Sequence, residues 1–123
     1  MEGISLKYFD LSEFDSPDEP GSGQEMRAKF LRMLDAAREA AGVPFKITSG
    51  YRTHEHNERV GGVPNSAHTH GCAADIACNI NNRFQILTAL LSVGFDRIGI
   101  ANTFIHVDND KTKNPCKIWT YGN

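Results

Sequence analysis

The chain of 123 residues carries 13 Lys and Arg against 15 Asp and Glu, a formal charge of −2. That length suits one domain with a core of useful size, and the charge offers no basic excess to attract nucleic acid. No apolar run approaches the roughly eighteen residues that span a bilayer, so no membrane role is expected, and Met1 to Lys7 lacks the charged-then-apolar order of a signal peptide.

Residues 1–23 read as a lead followed by a turn-rich loop, Asp15 to Gly23, whose prolines and glycines break helix and strand alike. Met26, Phe30, Met33, Leu34 and Ala37 recur at three- and four-residue steps and predict an amphipathic helix over 24–41, stopped by Gly42 and Pro44. A strand from Phe45 to Ser49 then meets Gly50, whose turn presents Arg52 at the rim of a sheet. There Arg52 either grips a carboxylate or carbonyl with its planar fork or pairs with Glu55 or Glu58. His54 and His56 fall on a short polar helix, His54 to Val60, where a solvated face accounts for them. Gly61 to Asn65 is a loop.

Past Asp75 and Ile76, Asn81 or Asn82 is placed to cap a helix. Its Phe84, Leu87, Leu90 and Leu91 form an inward stripe that ends at Gly94. Strands follow near 97–101, 103–108 and 117–121, the first two close enough to form a hairpin. Trp119 and Tyr121 share a face of the last strand and are expected to cover the sheet rather than stack on sugar. The pattern predicts a single α+β domain over 1–123, an antiparallel sheet backed by helices.

Two segments carry chemistry, Ser66 to Asp75 and Phe104 to Asp108. Six residues intervene between His68 and Asp75, the wrong step for one helical face. A loop feeding a strand fits better, with Gly71 allowing the bend. In the second segment Phe104, His106 and Asp108 share one strand face while Ile105 and Val107 point to the other. His68, Asp75 and His106 supply three nitrogen and oxygen donors, the number that leaves one tetrahedral corner open at a catalytic zinc. Taken singly, each segment reads first as a surface pair or a turn cap; together with Arg52 they form a specific pattern. His70 is placed as an alternative ligand or an orienting partner. Cys72, Cys78 and Cys116 are odd in number and lack Cys-x-x-Cys spacing, so they are expected as buried thiols with no disulfide framework and no catalytic task. Free thiols fit synthesis in a reducing compartment, the cytoplasm.

Three motifs, Ser49-Gly50-Tyr51-Arg52, the Ser-x-His-x-x-Gly-x-Ala-x-Asp run from Ser66 to Asp75, and His106-Val107-Asp108, resemble the zinc D-alanyl-D-alanine carboxypeptidases. Their endolysin and murein-endopeptidase relatives, the LAS-type metallopeptidases, share a fold with the Hedgehog signalling domain. The resemblance implies that His68, Asp75 and His106 hold zinc, that Arg52 anchors or polarises substrate, and that Ser66 lies near the peptide terminus. It further implies a peptidoglycan stem peptide as substrate, cut at a D-Ala-D-Ala, L-Ala-D-Glu or D,D-crosslink bond. A phage lysis enzyme or an envelope component, monomeric and reaching the cell wall by release or another export route, would fit.

One departure stands out. Relatives carry an acidic residue three positions before the last zinc histidine, or a histidine two before it, where this chain has Thr103 and Phe104. Asp108, on the same strand face as His106, is the expected general base. In the register of relatives with His-x-His, Asp108 would instead be the ligand and His106 the base. Two other readings stand beside the enzyme: a metal-bearing binding module without catalysis, and a structural phage component that uses zinc only to fold.

Overall fold

In the computed structural model, which describes residues 4–121, five strands form one sheet in the order β1-β2-β4-β3-β5. These are β1 (Ile47–Ser49), β2 (Ala73–Ala77), β3 (Arg97–Ile100), β4 (Phe104–Asp108) and β5 (Lys117–Thr120). Met1, Glu2 and Gly3 of the stretch read for a signal peptide lie outside the described residues. The expected hairpin is present, with β3 and β4 antiparallel and Ile100 opposite Ile105. β2 joins the other edge of β4, also antiparallel.

The sheet is mixed rather than wholly antiparallel, because β5 runs parallel to β3. Both edges of β4 are already taken, and β5 joins the open edge of β3. The connection 109–116 stays at the end of the sheet where β4 stops and β3 starts, and a strand leaving that end runs alongside β3.

Alternation sorts the strands into two faces. Ala74, Ile76, Ile98, Ile105 and Val107 are buried in the core. Asp75, Arg97, Gly99, His106, Asp108 and Trp119 occupy the opposite set of positions. Helix α1 (Ala28–Ala41) buries Phe30, Leu31, Leu34 and Ala37 and packs against α3 (Arg83–Ser92), with Phe30 edge-on to Phe95 at 5.6 Å. The helix starts later than its periodicity predicts. Residues Ser22–Glu25 make a separate 3₁₀ turn, and Met26, though buried, is extended. The Arg27 N–H is drawn instead to the Gly71 carbonyl at 2.8 Å.

The inward stripe of α3 is corrected in part, since Leu90 is buried and Leu87 packs against the core as expected while Phe84 and Leu91 do not. Phe84 is 75% exposed and Leu91 43%, while Ile86, Ala89 and Leu90 are buried. A helix apolar on most sides offers several stripes at the same spacing, and packing against α1 and β4 buries the one through Ile86. Asn82 sits at the cap position without a side-chain cap bond; its Oδ1 accepts the Asn79 N–H. Among the described residues no helix is long and apolar enough to cross a membrane.

The lead is part of the packed structure. Phe14 is fully buried, edge-on to Phe9 at 5.4 Å, and its carbonyl accepts the Tyr51 N–H at 2.8 Å. Asp15 closes the loop by accepting the N–H groups of Gly21 and Gly23. Asp18 accepts the Thr53 hydroxyl at 2.7 Å, and Ser16 Oγ accepts the Thr53 N–H. The loop therefore braces the segment that carries Arg52. Phe14→Ala is expected to cost roughly 3–5 kcal/mol, seen as a lower urea midpoint at unchanged slope; an unchanged midpoint would show that the lead is peripheral.

Candidate metal centre

The Ser66-to-Asp75 motif begins as a 3₁₀ turn, Ala67–His70, started by Ser66 Oγ accepting the His68 N–H at 3.2 Å. Gly71 ends it at φ 73°, and a Cβ there would collide with the Glu25 carbonyl, so no other residue turns the chain into β2 at this place. The turn is locked to the Arg52 motif from both directions. His68 Nδ1 bonds the Gly50 carbonyl at 2.7 Å, and the Arg52 N–H donates to the His68 carbonyl at 3.1 Å.

Across β2 and β4, Asp75 and His106 are direct partners. Asp75 Oδ1 lies 3.2 Å from His68 Nε2 and 3.0 Å from His106 Nδ1. One donor atom from each of the three residues lies within 4.8 Å of the others, and all three side chains are buried.

The outer nitrogens of the two rings test whether a cation fits. His68 Nδ1 meets a backbone carbonyl, and His106 Nε2 meets Asp108 Oδ2 at 2.8 Å. Both partners only accept, so each outer nitrogen carries the ring proton. With the outer nitrogens serving as donors, the inner nitrogens are left to face a carboxylate oxygen. Such an arrangement needs added protons or a metal ion between them, and two imidazoles with one carboxylate suit a borderline divalent ion. Ligating histidines are commonly oriented this way, by an acceptor on the far nitrogen.

The charges agree. Burial pushes the Asp75 carboxyl up, but hydrogen bonds from His106 and His68 outweigh it and hold the group well below the usual carboxylate range. For His106, burial lowers the imidazole, yet Asp108 and Asp75 together raise it above its ordinary value.

Arg52 pairs with neither Glu55 nor Glu58. Its Nε donates to Ser49 Oγ at 3.1 Å and one terminal nitrogen to Asn57 Oδ1 at 3.0 Å. The other terminal nitrogen lies 3.6 Å from Asp75 Oδ2, beside the three-residue cluster. Asn57 is the buried residue of α2 (His54–Arg59), and a uniformly polar helix gave no period by which to single it out.

Asp108 is 1% exposed and sits behind the His106 ring. Its Oδ2 takes the Nε2 proton while Oδ1 accepts from Arg97 Nε at 2.7 Å and from the Asp110 N–H at 3.1 Å. Burial raises its carboxyl, but the bonds from His106 and Arg97 bring it below the ordinary value. It is not among the three converging donors. Arg97 escaped the reading by motif; pairing residues symmetrically about the hairpin turn would have put it opposite Asp108.

A cleft of about 430 Å³ opens over the cluster, lined by Arg52, Ser66 and the Val60 to Val63 loop on one side. Trp119 and Tyr121 form part of its wall rather than a plain cover of the sheet. The indole lies over Gly99, where a Cβ would fall 2.5 Å from its Nε1, and 5.6 Å from the His106 ring. Ser66 reaches the cleft, though its oxygen serves the turn. His70 turns instead to Asp110 Oδ2 at 2.8 Å. Cys72 is a buried thiol pushed up by burial to about 11, and it stands apart from the donor set. Cys78 is half-buried. Cys116 is exposed, against expectation, because it ends the surface connection before edge strand β5.

The Peptidase M15 family model matches residues 7–108, spanning the lead, all three motifs and both strands of the cluster. The chain belongs to the Peptidase M15 family. Membership agrees with the resemblance carried by the motifs and with an α+β fold, and it makes the protein a metallopeptidase by descent. No curated protein matches the chain.

Proposed function

We propose that the protein is a zinc-dependent peptidase acting on peptidoglycan stem peptides, with His68 Nε2, Asp75 Oδ1 and His106 Nδ1 as the metal ligands. The observation that carries this reading is the convergence of three buried donor atoms on one point, with the outer nitrogen of each ring already matched to an acceptor. Zinc held there would supply Lewis-acid polarisation of a scissile carbonyl and a water acidic enough to attack it near neutral pH.

The chain's own residues divide the remaining work. Arg52 is held by Ser49 and Asn57 with N–H groups of both terminal nitrogens to spare, suited to a peptide carboxylate or a developing oxyanion. Gly61, Gly62 and the aromatic wall bound the cleft and restrict the path of the peptide. Ser66, at the rim, lies where a peptide terminus would enter. Asp108, expected as proton acceptor, is better suited to orient His106, since both its oxygens are engaged and its carboxylate is a weakened base.

That commitment favours a second reading, a metal-bearing binding module without turnover. Asp75 and Asp108 are the carboxylates that line the cleft, and each already has a task. Incubating the protein with purified peptidoglycan separates the two. The peptidase reading expects new amino termini or released D-alanine, lost on chelation and restored by zinc; tight zinc binding with no product under any condition supports the binding module.

Metal binding is also expected to be pH-dependent in a definite direction. In the metal-free chain the raised value of His106 lies above 6.5, its ordinary value. A raised folded-state value contributes stability that is fully present below the unfolded value and is lost as pH rises through the folded one. The same proton must leave before Nδ1 can coordinate. Zinc should therefore raise Tm more at pH about 8 than at about 6. Equal shifts at both would contradict coordination through His106.

A further inference from the structure

We propose that Arg97 is a positioning residue of the metal centre, which acts through Asp108 to hold the His106 ring with Nδ1 toward His68 and Asp75. The inference rests on reading that cluster as a metal site.

Arg97 is buried on β3, directly opposite Asp108 in the hairpin register. Its guanidinium is fixed on three sides. Nε donates to Asp108 Oδ1 at 2.7 Å, a terminal nitrogen donates to the Asn114 carbonyl at 2.5 Å, and the group lies 5.2 Å from the centre of the Trp119 ring. Together with the Asp110 N–H it occupies Oδ1, so Oδ2 is the oxygen left for His106 Nε2. Without the guanidinium, the Asp110 N–H alone holds Oδ1, and the carboxylate sets the angle of the imidazole less firmly. Asn114 and Trp119 in turn belong to the connection and strand that follow the matched residues 7–108. The segment beyond the family match thus reaches the ligand shell through the Arg97 guanidinium as well as through the Asp110 N–H on Asp108 and the Trp119 indole beside His106.

A merely structural ion pair would affect folding and leave the metal indifferent, so the test reads the metal. Zinc affinity is measured by competition with a chromophoric chelator, and the visible bands of the cobalt-loaded protein are recorded. The proteins are wild type, Arg97→Gln, Asp108→Asn, the double variant and Arg97→Lys, with thermal unfolding of each metal-free form alongside. Loss of an orienting partner typically weakens metal binding about 10- to 100-fold. Arg97→Gln is expected to fall in that range and to shift the cobalt bands. In the Asp108→Asn background it should add no further loss, because the path from Arg97 to the metal is already cut. Arg97→Lys, which keeps the charge without the fork, should lie between, and it carries the test if Arg97→Gln does not fold. Wild-type affinity and spectrum in folded Arg97 variants, or losses that simply add in the double variant, would overturn the proposal while leaving the metal site standing. If wild type itself binds no zinc or cobalt, the reading of the site fails and this inference with it.

Discussion

Asp75→Asn is expected to abolish zinc binding at micromolar metal and to reduce peptide hydrolysis by roughly a thousandfold or more, taking the metal's contribution as several kcal/mol. The amide keeps the shape of the carboxylate but removes the one negative charge at the point where His68 and His106 converge. The fold should survive, because the flanking Ala74 and Ile76 carry the core packing of β2. Since the Asp75 carboxyl is held below its unfolded value, its contribution to metal-free stability is present above about pH 4 and is lost as pH falls through the folded value. The stability of the variant relative to wild type should therefore converge in acid. Isothermal titration with zinc and a peptidoglycan assay on the same preparation check both effects. Undiminished zinc affinity would remove Asp75 from the ligand set.

Arg52→Lys should separate substrate handling from metal binding. Lysine retains the positive charge yet cannot reach Ser49 and Asn57 together while offering two parallel donors to a carboxylate. Removal of an aligned donor to developing charge typically costs about 100- to 1000-fold, and kcat/KM is expected to fall by that amount with zinc affinity changed only a few-fold. Asn57→Ala should show a weaker form of the same defect, since it frees the guanidinium from one of its two side-chain anchors. Steady-state kinetics beside a zinc titration distinguish the outcomes. Full activity in Arg52→Lys would reduce Arg52 to a structural brace between the turn and α2.

How far the site could be read from residues alone follows from the range of the interactions. His68, Asp75 and His106 were legible because a dense motif and the two-residue alternation of a strand are local patterns, and strand pairing then makes Asp75 and His106 neighbours. Local patterns also misled. Met26 continues the spacing of α1 but is buried in extended chain, because the Arg27 N–H is claimed by Gly71, far along the sequence. Phe84 and Leu91 match a helical stripe as well as Ile86 and Leu90 do, and only the positions of α1 and the sheet choose between them. The bracing of Thr53 by Asp18, and of Arg52 by Asn57, depends on single polar contacts with no period to announce them. The parallel course of β5 follows from which sheet edges were still open, a property of the assembled topology.

The most direct test of the three-ligand centre is an anomalous difference map from a zinc-loaded crystal at the zinc edge. One strong peak is expected at about 2.0–2.2 Å from His68 Nε2, Asp75 Oδ1 and His106 Nδ1, with Asp108 on the far side of the imidazole. A peak bound by Asp108 in place of His106, or the absence of any peak at the cluster, would contradict this ligand set.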